Sequence, residues 1–184
     1  MNPGDETMKR NKFIILCILV MFCSGGFALV QVNAKAPDFR IMDGNNRWLT
    51  LGDLKGKVVI GFYEHRSAVE KNKSLKDELQ AYRKKWSRYS EGNSFSLAVV
   101  DASEANLFSK WIWKKKLRET SSELGITVYG DWDGSMKKAY GIPAGESVFM
   151  IIDKKGILRY RYAGLVRENK FENIRKMIRT LVRQ

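Results

Sequence analysis

Residues 65–70 read His65-Arg66-Ser67-Ala68-Val69-Glu70 and gather the most reactive side-chain types of the chain in one place. His65 is its single histidine, and Ser67 stands two positions on. A hydroxyl beside an imidazole is the start of a nucleophile–base pair. A hydrolase would also need a carboxylate behind the ring and an oxyanion hole. Asp101, Asp131 and Asp133 follow or approach strand ends and are the candidate acids. No nucleophile-elbow pattern surrounds Ser67. The same residues have a plainer use. Ser67 and Glu70 have the spacing of a capping box, with Ser67 as cap and Glu70 reaching back. That reading explains both without chemistry and is the favoured one. A third use sets Ser67 and the Arg66 charge at a helix N-terminus facing a small anion or a partner's carboxylate.

Sulfur chemistry has little to work with. The chain has two cysteines, Cys17 and Cys23, and both lie in an apolar run near the start. One histidine and no later cysteine give no zinc site, which wants four nitrogen or sulfur ligands. Asp131-Trp132-Asp133-Gly134 lacks the ligand ladder of a calcium loop and reads as an Asp-Gly turn. No metal and no cofactor are expected.

A second group is Trp111-Ile112-Trp113-Lys114-Lys115-Lys116. Tryptophans beside a lysine cluster suit a membrane surface or a partner groove. The alternative, and the preferred expectation, is a helix that packs Leu107, Trp111 and Ile112 on a sheet and leaves the lysines in water.

The elements that must hold these residues follow from periodicity. Residues 58–63 form an unbroken apolar run, the mark of a buried strand. Residues 68–90 place Leu75, Leu79, Tyr82 and Trp86 on one stripe of a long helix, with Lys71, Lys73, Lys76, Arg83 and Lys84 opposite. Residues 95–100 read as a strand, 104–119 as partly helical, 126–129 as a short strand and 134–140 as a short helix stopped by Gly141 and Pro143. Residues 148–152 are a third apolar strand. Lys154-Lys155-Gly156 turns into the alternating strand 157–163. Residues 168–183 close as a helix with Phe171, Ile174, Ile178 and Leu181 inward. Strands separated by helices, with a late hairpin, predict an α/β sandwich on a mixed sheet.

Lys9, Arg10 and Lys12 precede the apolar residues 13–23, and Val32-Asn33-Ala34 offers a small-residue cleavage point. This is the layout of a secretory signal over residues 1–34, with a domain over 35–184. An uncleaved anchor over residues 13–32 is the alternative, since about 20 apolar residues can span a bilayer. Lipid attachment at Cys23 is disfavoured by the bulky Phe22 before it. Either route puts the domain outside the cytoplasm, in the periplasm. About 150 residues remain, the usual size of one domain. The formal charge of the chain is +13. A basic balance favours an anionic envelope component, an acidic protein or a membrane surface as partner. Export argues against nucleic acid, and plain solubility charge on exposed helix faces is the favoured explanation of the balance.

Ala36-Pro37-Asp38-Phe39, Asp43-Gly44 and residues 51–59 (Leu-Gly-Asp-Leu-Lys-Gly-Lys-Val-Val) resemble the entry of the peroxiredoxin and thiol-disulfide-reductase group. Residues 149–156 (Phe-Met-Ile-Ile-Asp-Lys-Lys-Gly) resemble its far end. Together they imply a thioredoxin-like three-layer sandwich with a mixed central sheet flanked by helices. Residues 66–72, with Asp131-Trp132-Asp133 and the Asp153 turn, look like the exported YtfJ-type family. That resemblance implies this fold, a periplasmic home, no redox cysteine pair and no established activity. In the redox-active group a cysteine opens the helix after the first central strand, where backbone amides and the helix dipole stabilise a thiolate. By position Ser67 and Glu70 replace the two cysteines. Pro143 is four residues too early for the cis-proline that such proteins place near Ser147. The resulting expectation is an exported thioredoxin-fold binding or accessory protein without thiol chemistry. A redoxin-type oxidoreductase using a partner's thiol and a hydrolase built on His65 and Ser67 are the alternatives.

Overall fold

The computed structural model describes residues 30–85 and 92–184. Residues 1–29 of the expected signal or anchor, with Cys17 and Cys23, and Trp86 of the expected helical stripe lie outside the described residues.

Seven strands form one mixed sheet: β1 (Arg40–Asp43), β2 (Trp48–Thr50), β3 (Val58–Glu64), β4 (Ser94–Asp101), β5 (Val128–Asp131), β6 (Ser147–Ile152) and β7 (Leu158–Ala163). Their spatial order is β2-β1-β5-β4-β3-β6-β7. β3, β4 and β5 run parallel, while β6 adds antiparallel beside β3, β7 antiparallel beside β6, and β1 antiparallel beside β5. The apolar runs of β3 and β6 sit centrally because both their faces are covered. Among the described residues four α-helices pack on the sheet: α1 (Lys73–Lys85), α2 (Lys110–Leu124), α3 (Ser135–Ala139) and α4 (Phe171–Arg183).

Alternation along the strands divides the core. Val59, Tyr63, Leu97, Val99, Met150 and Ile152 face the layer of α3 and the early strands. Val58, Phe149 and Ile151 face Leu75 of α1 and Ile174, Ile178 and Leu181 of α4. The α4 residues are those the stripe predicted. β1 and β2 were not legible beforehand, being short and paired through a turn at residues 44–47.

The long helix begins later than its stripe suggests. Residues 66–68 are a 3-10 turn, residues 69–72 are turns, and the α-helix starts only at Lys73. His65, not Ser67, caps the 3-10 turn, its ring accepting from the Ser67 amide. The capping box expected of Ser67 and Glu70 is therefore replaced by a His65–Ser67 contact.

Residues 30–36 are strapped to the β7 hairpin. The Asn33 amide donates to the Leu158 carbonyl at 2.7 Å, and the Leu158 amide returns to the Ala34 carbonyl at 3.0 Å. Val30 packs against the core. The cleavage point expected at Ala34 falls inside this strap.

Candidate functional site

β3 delivers the chain to residues 64–72 at its carboxyl end, where open α/β sheets offer crevices. The Ser67 hydroxyl lies 2.7 Å from His65 Nδ1. The Ser67 amide donates to the same nitrogen at 3.3 Å. A nitrogen that accepts from an amide carries no proton, so this geometry suits the tautomer with its hydrogen on Nε2. The hydroxyl thus points at a base. Both side chains are near solvent.

The rest of a catalytic triad is not assembled. Asp101 accepts from Lys137 Nζ at 2.7 Å and from the Ser103 hydroxyl at 2.6 Å. Asp131 accepts from the Tyr63 hydroxyl at 2.9 Å and the Lys137 amide at 2.8 Å. Asp133 accepts from the Ser135 amide at 3.0 Å. All three candidate acids serve the α3 side. Arg66 reaches Glu104 at 3.7 Å, both side chains largely exposed.

Beneath the loop lies a polar network that sequence reading missed. Glu64, Asn72 and Ser147 are all buried. The Ser147 hydroxyl donates to Glu64 Oε1 at 3.1 Å, and Lys76 Nζ stands 3.1 Å from Glu64 Oε2. Lys76 also donates to the Val69 carbonyl. Burial pushes the Glu64 carboxyl above the ordinary carboxylate range, and the Lys76 and Ser147 contacts offset only part of that. The His65 amide donates to the Glu146 carbonyl at 3.1 Å, tying the loop to the turn before β6. Glu64 ends an apolar run and could have been flagged on that ground. Asn72 sits in a lysine-rich stretch and carries no such signal.

A cavity of about 560 Å³ opens at this loop and runs over β3 and β4 between α1 and α2. Glu64, Arg66 and Glu70 stand at one end, and Phe62, Ala98 and Trp113 line it further in. The second expected group therefore divides. Trp113 turns inward with Leu117, while Trp111 and Ile112 are exposed, as is Leu107. This corrects the expectation that Leu107, Trp111 and Ile112 pack on the sheet. Lys114 contacts the Asn46 side chain at 2.5 Å. Lys115 reaches Glu119 at 3.9 Å, and Lys116 lines the cavity. Among the described residues no cluster of three or more histidine, cysteine or acidic side chains is placed to hold a metal.

The family model for AhpC/TSA matches residues 32–161, most of the chain. The chain belongs to the AhpC/TSA family. Among curated AhpC/TSA-like relatives, the chloroplastic peroxiredoxin Q of Populus jackii is 25% identical over 163 residues, covering 84% of this chain and 68% of that protein. The peroxiredoxin Q of Oryza sativa subsp. japonica is 24% identical, covering 72% of this chain but only 59% of that protein. The crystal structure of a candidate thiol:disulfide interchange protein DsbE from Chlorobium tepidum superposes with a TM-score of 0.63 at 17% identity, covering 83% of this chain and 99% of that one. The last likeness establishes the thioredoxin-like fold expected from the sequence. The AhpC/TSA portion of this chain, residues 32–161, contains no cysteine.

Proposed function

We propose that this AhpC/TSA member is an exported, YtfJ-type protein of the periplasm that works without thiol chemistry, as a binding or accessory protein of the envelope. One observation carries the reading. Where the fold can hold a nucleophilic cysteine, Ser67 sits in a 3-10 turn and engages His65 at 2.7 Å. A hydroxyl has no thiol-like redox cycle. The α1 N-terminus, whose dipole would stabilise an anion, begins only at Lys73. The basic start and apolar residues 13–23 support export.

The likeness to peroxiredoxin Q supports a second reading, a redoxin-type oxidoreductase whose thiol comes from a partner or from Cys17 and Cys23. The His65–Ser67 contact supports a hydrolase less well, since Asp101, Asp131 and Asp133 are engaged elsewhere.

The test compares the full chain with its Cys17→Ser/Cys23→Ser form in insulin reduction and in peroxide turnover. Background rates from both are expected. Turnover abolished by the two serines would favour the oxidoreductase. Turnover that survives them but is lost in Ser67→Ala, or labelling of Ser67 by a fluorophosphonate, would replace the binding-protein reading with an enzyme.

A further inference from the structure

Four large apolar side chains face solvent within residues 107–112. Leu107 and Phe108 are each 88% exposed, Trp111 65% and Ile112 52%. Steps of three and four place them on one side of a helical path. That path is fixed before α2 begins. The Lys110 amide donates to the Asn106 carbonyl at 2.9 Å, and the Asn106 side chain accepts from the Phe108 and Ser109 amides at 3.1 and 2.9 Å. The patch is thus presented by an ordered turn.

The helix behind it is anchored on its other side. Leu117 is buried, and Arg118 donates to the Gly44 carbonyl at 2.7 Å. Rotation that would hide the patch is opposed by these contacts. Contiguous exposed apolar surface of this kind marks an interaction site.

The surrounding charge selects the occupant. Lys115 and Lys116 follow the apolar residues along α2 and are exposed, whereas Lys110 and Lys114 lie over the Trp132 ring at 5.3 and 6.0 Å. Glu119 stands 3.9 Å from Lys115, and Glu104 pairs away from the patch with Arg66 at 3.7 Å. The chain as a whole carries +13. Among the described residues no helix is long and apolar enough to cross a membrane. Exposed aromatic and aliphatic side chains with lysines beside them match the headgroup layer of an anionic bilayer. A protein partner's helix would ask for a groove, and the cavity between α1 and α2 is lined by Trp113 and Lys116 rather than by Leu107, Phe108, Trp111 or Ile112.

We propose that residues 107–116 form a docking surface for an anionic phospholipid bilayer. Leu107, Phe108, Trp111 and Ile112 enter the headgroup region, and Lys115 and Lys116 meet lipid phosphates.

The probe is a vesicle carrying brominated acyl chains, with or without about one third phosphatidylglycerol, mixed with the full chain. Bromine quenches tryptophan that reaches the acyl boundary. The apolar residues 13–23 contain no tryptophan, so their insertion adds no signal. Quenching is expected with phosphatidylglycerol, lost in Trp111→Ser and reduced severalfold in Lys115→Glu/Lys116→Glu. The melting temperature of each variant confirms that it is folded, since the altered side chains are exposed. No quenching in the wild type, equal quenching on vesicles lacking phosphatidylglycerol, or unchanged quenching in Trp111→Ser would overturn the proposal. Capture of a specific acidic protein in place of vesicles would do the same.

Discussion

Asn72 and Ser147, seventy-five positions apart, are joined by a hydrogen bond of 2.9 Å from the Asn72 side-chain nitrogen to the serine hydroxyl. The same nitrogen donates to the Gly164 carbonyl at 3.0 Å, and the Asn72 oxygen accepts from the Val166 amide at 2.9 Å. One buried amide therefore fastens the loop after β3 to both ends of the β6–β7 hairpin. Asn72→Ala leaves the Val166 amide and the Gly164 carbonyl without these partners. A cost of about 2–4 kcal/mol is expected, because unsatisfied buried polar groups bear their full desolvation penalty. Urea unfolding measures it, and a loss below about 1 kcal/mol would contradict the role.

Gly44 makes the approach of the β1–β2 turn to α2 possible. A Cβ there would stand 2.5 Å from the Lys114 carbonyl and 2.8 Å from the Arg118 side chain. The first of these is backbone and cannot swing aside. Gly44→Ala is expected to destabilise by about 1–3 kcal/mol through overpacking. It should also loosen α2 and raise amide hydrogen exchange across residues 110–124.

Acid stability is set by opposing groups. Burial raises the Asp153 carboxyl, but hydrogen bonds from the Ile157 amide, the Arg159 side chain and the Lys155 amide outweigh it, and the net shift is downward. Asp101 is likewise lowered on balance, its burial outweighed by Lys137 and Ser103. Lowered carboxyls contribute stability above the ordinary value of about 4, and it is lost as pH falls through their folded values. Burial raises Glu64 and Asp131 instead, so these two favour the folded state as pH falls from neutral toward that range. Urea midpoints should hold or rise slightly from pH 7 to about 5 and drop steeply below about 4. Asp153→Asn should make that drop shallower.

The strap at residues 30–36 gives a fourth prediction. A chain beginning at Lys35 loses the Asn33–Leu158 and Leu158–Ala34 backbone bonds and the Arg159 contact to the Asn33 side chain. A chain beginning at Val30 keeps them. The shorter form should be less stable by about 2–3 kcal/mol, taking about 1 kcal/mol for each net hydrogen bond. On the export proposed above, N-terminal sequencing of the processed chain should find the cut upstream of Asn33.

The central strands were legible because residues 58–63 and 148–152 are apolar on both faces, a pattern that admits little else. α4 was legible because Ile174, Ile178 and Leu181 fix one stripe. The start of α1 was not. Its stripe says which face is buried but not where turns give way to helix, and the His65 ring caps a 3-10 turn that periodicity cannot register. The orientation of residues 107–112 was misread for a related reason. Apolar spacing permits several faces to pack, and Trp113 and Leu117 take the inner positions. Glu64, Asn72 and Ser147 meet only through tertiary pairing, so no local pattern announces the network.

The strap lies along β7, while α2 packs on β5 and β1 toward the far side of the sheet. Five strand spacings separate β7 from β1, roughly 24 Å at about 4.8 Å each. A retained leader and a lipid-seated α2 would hold the body at two distant footholds. Such a molecule would rest broadside on its support rather than swing from a flexible stalk, and one fixed flank would always be offered to whatever approaches.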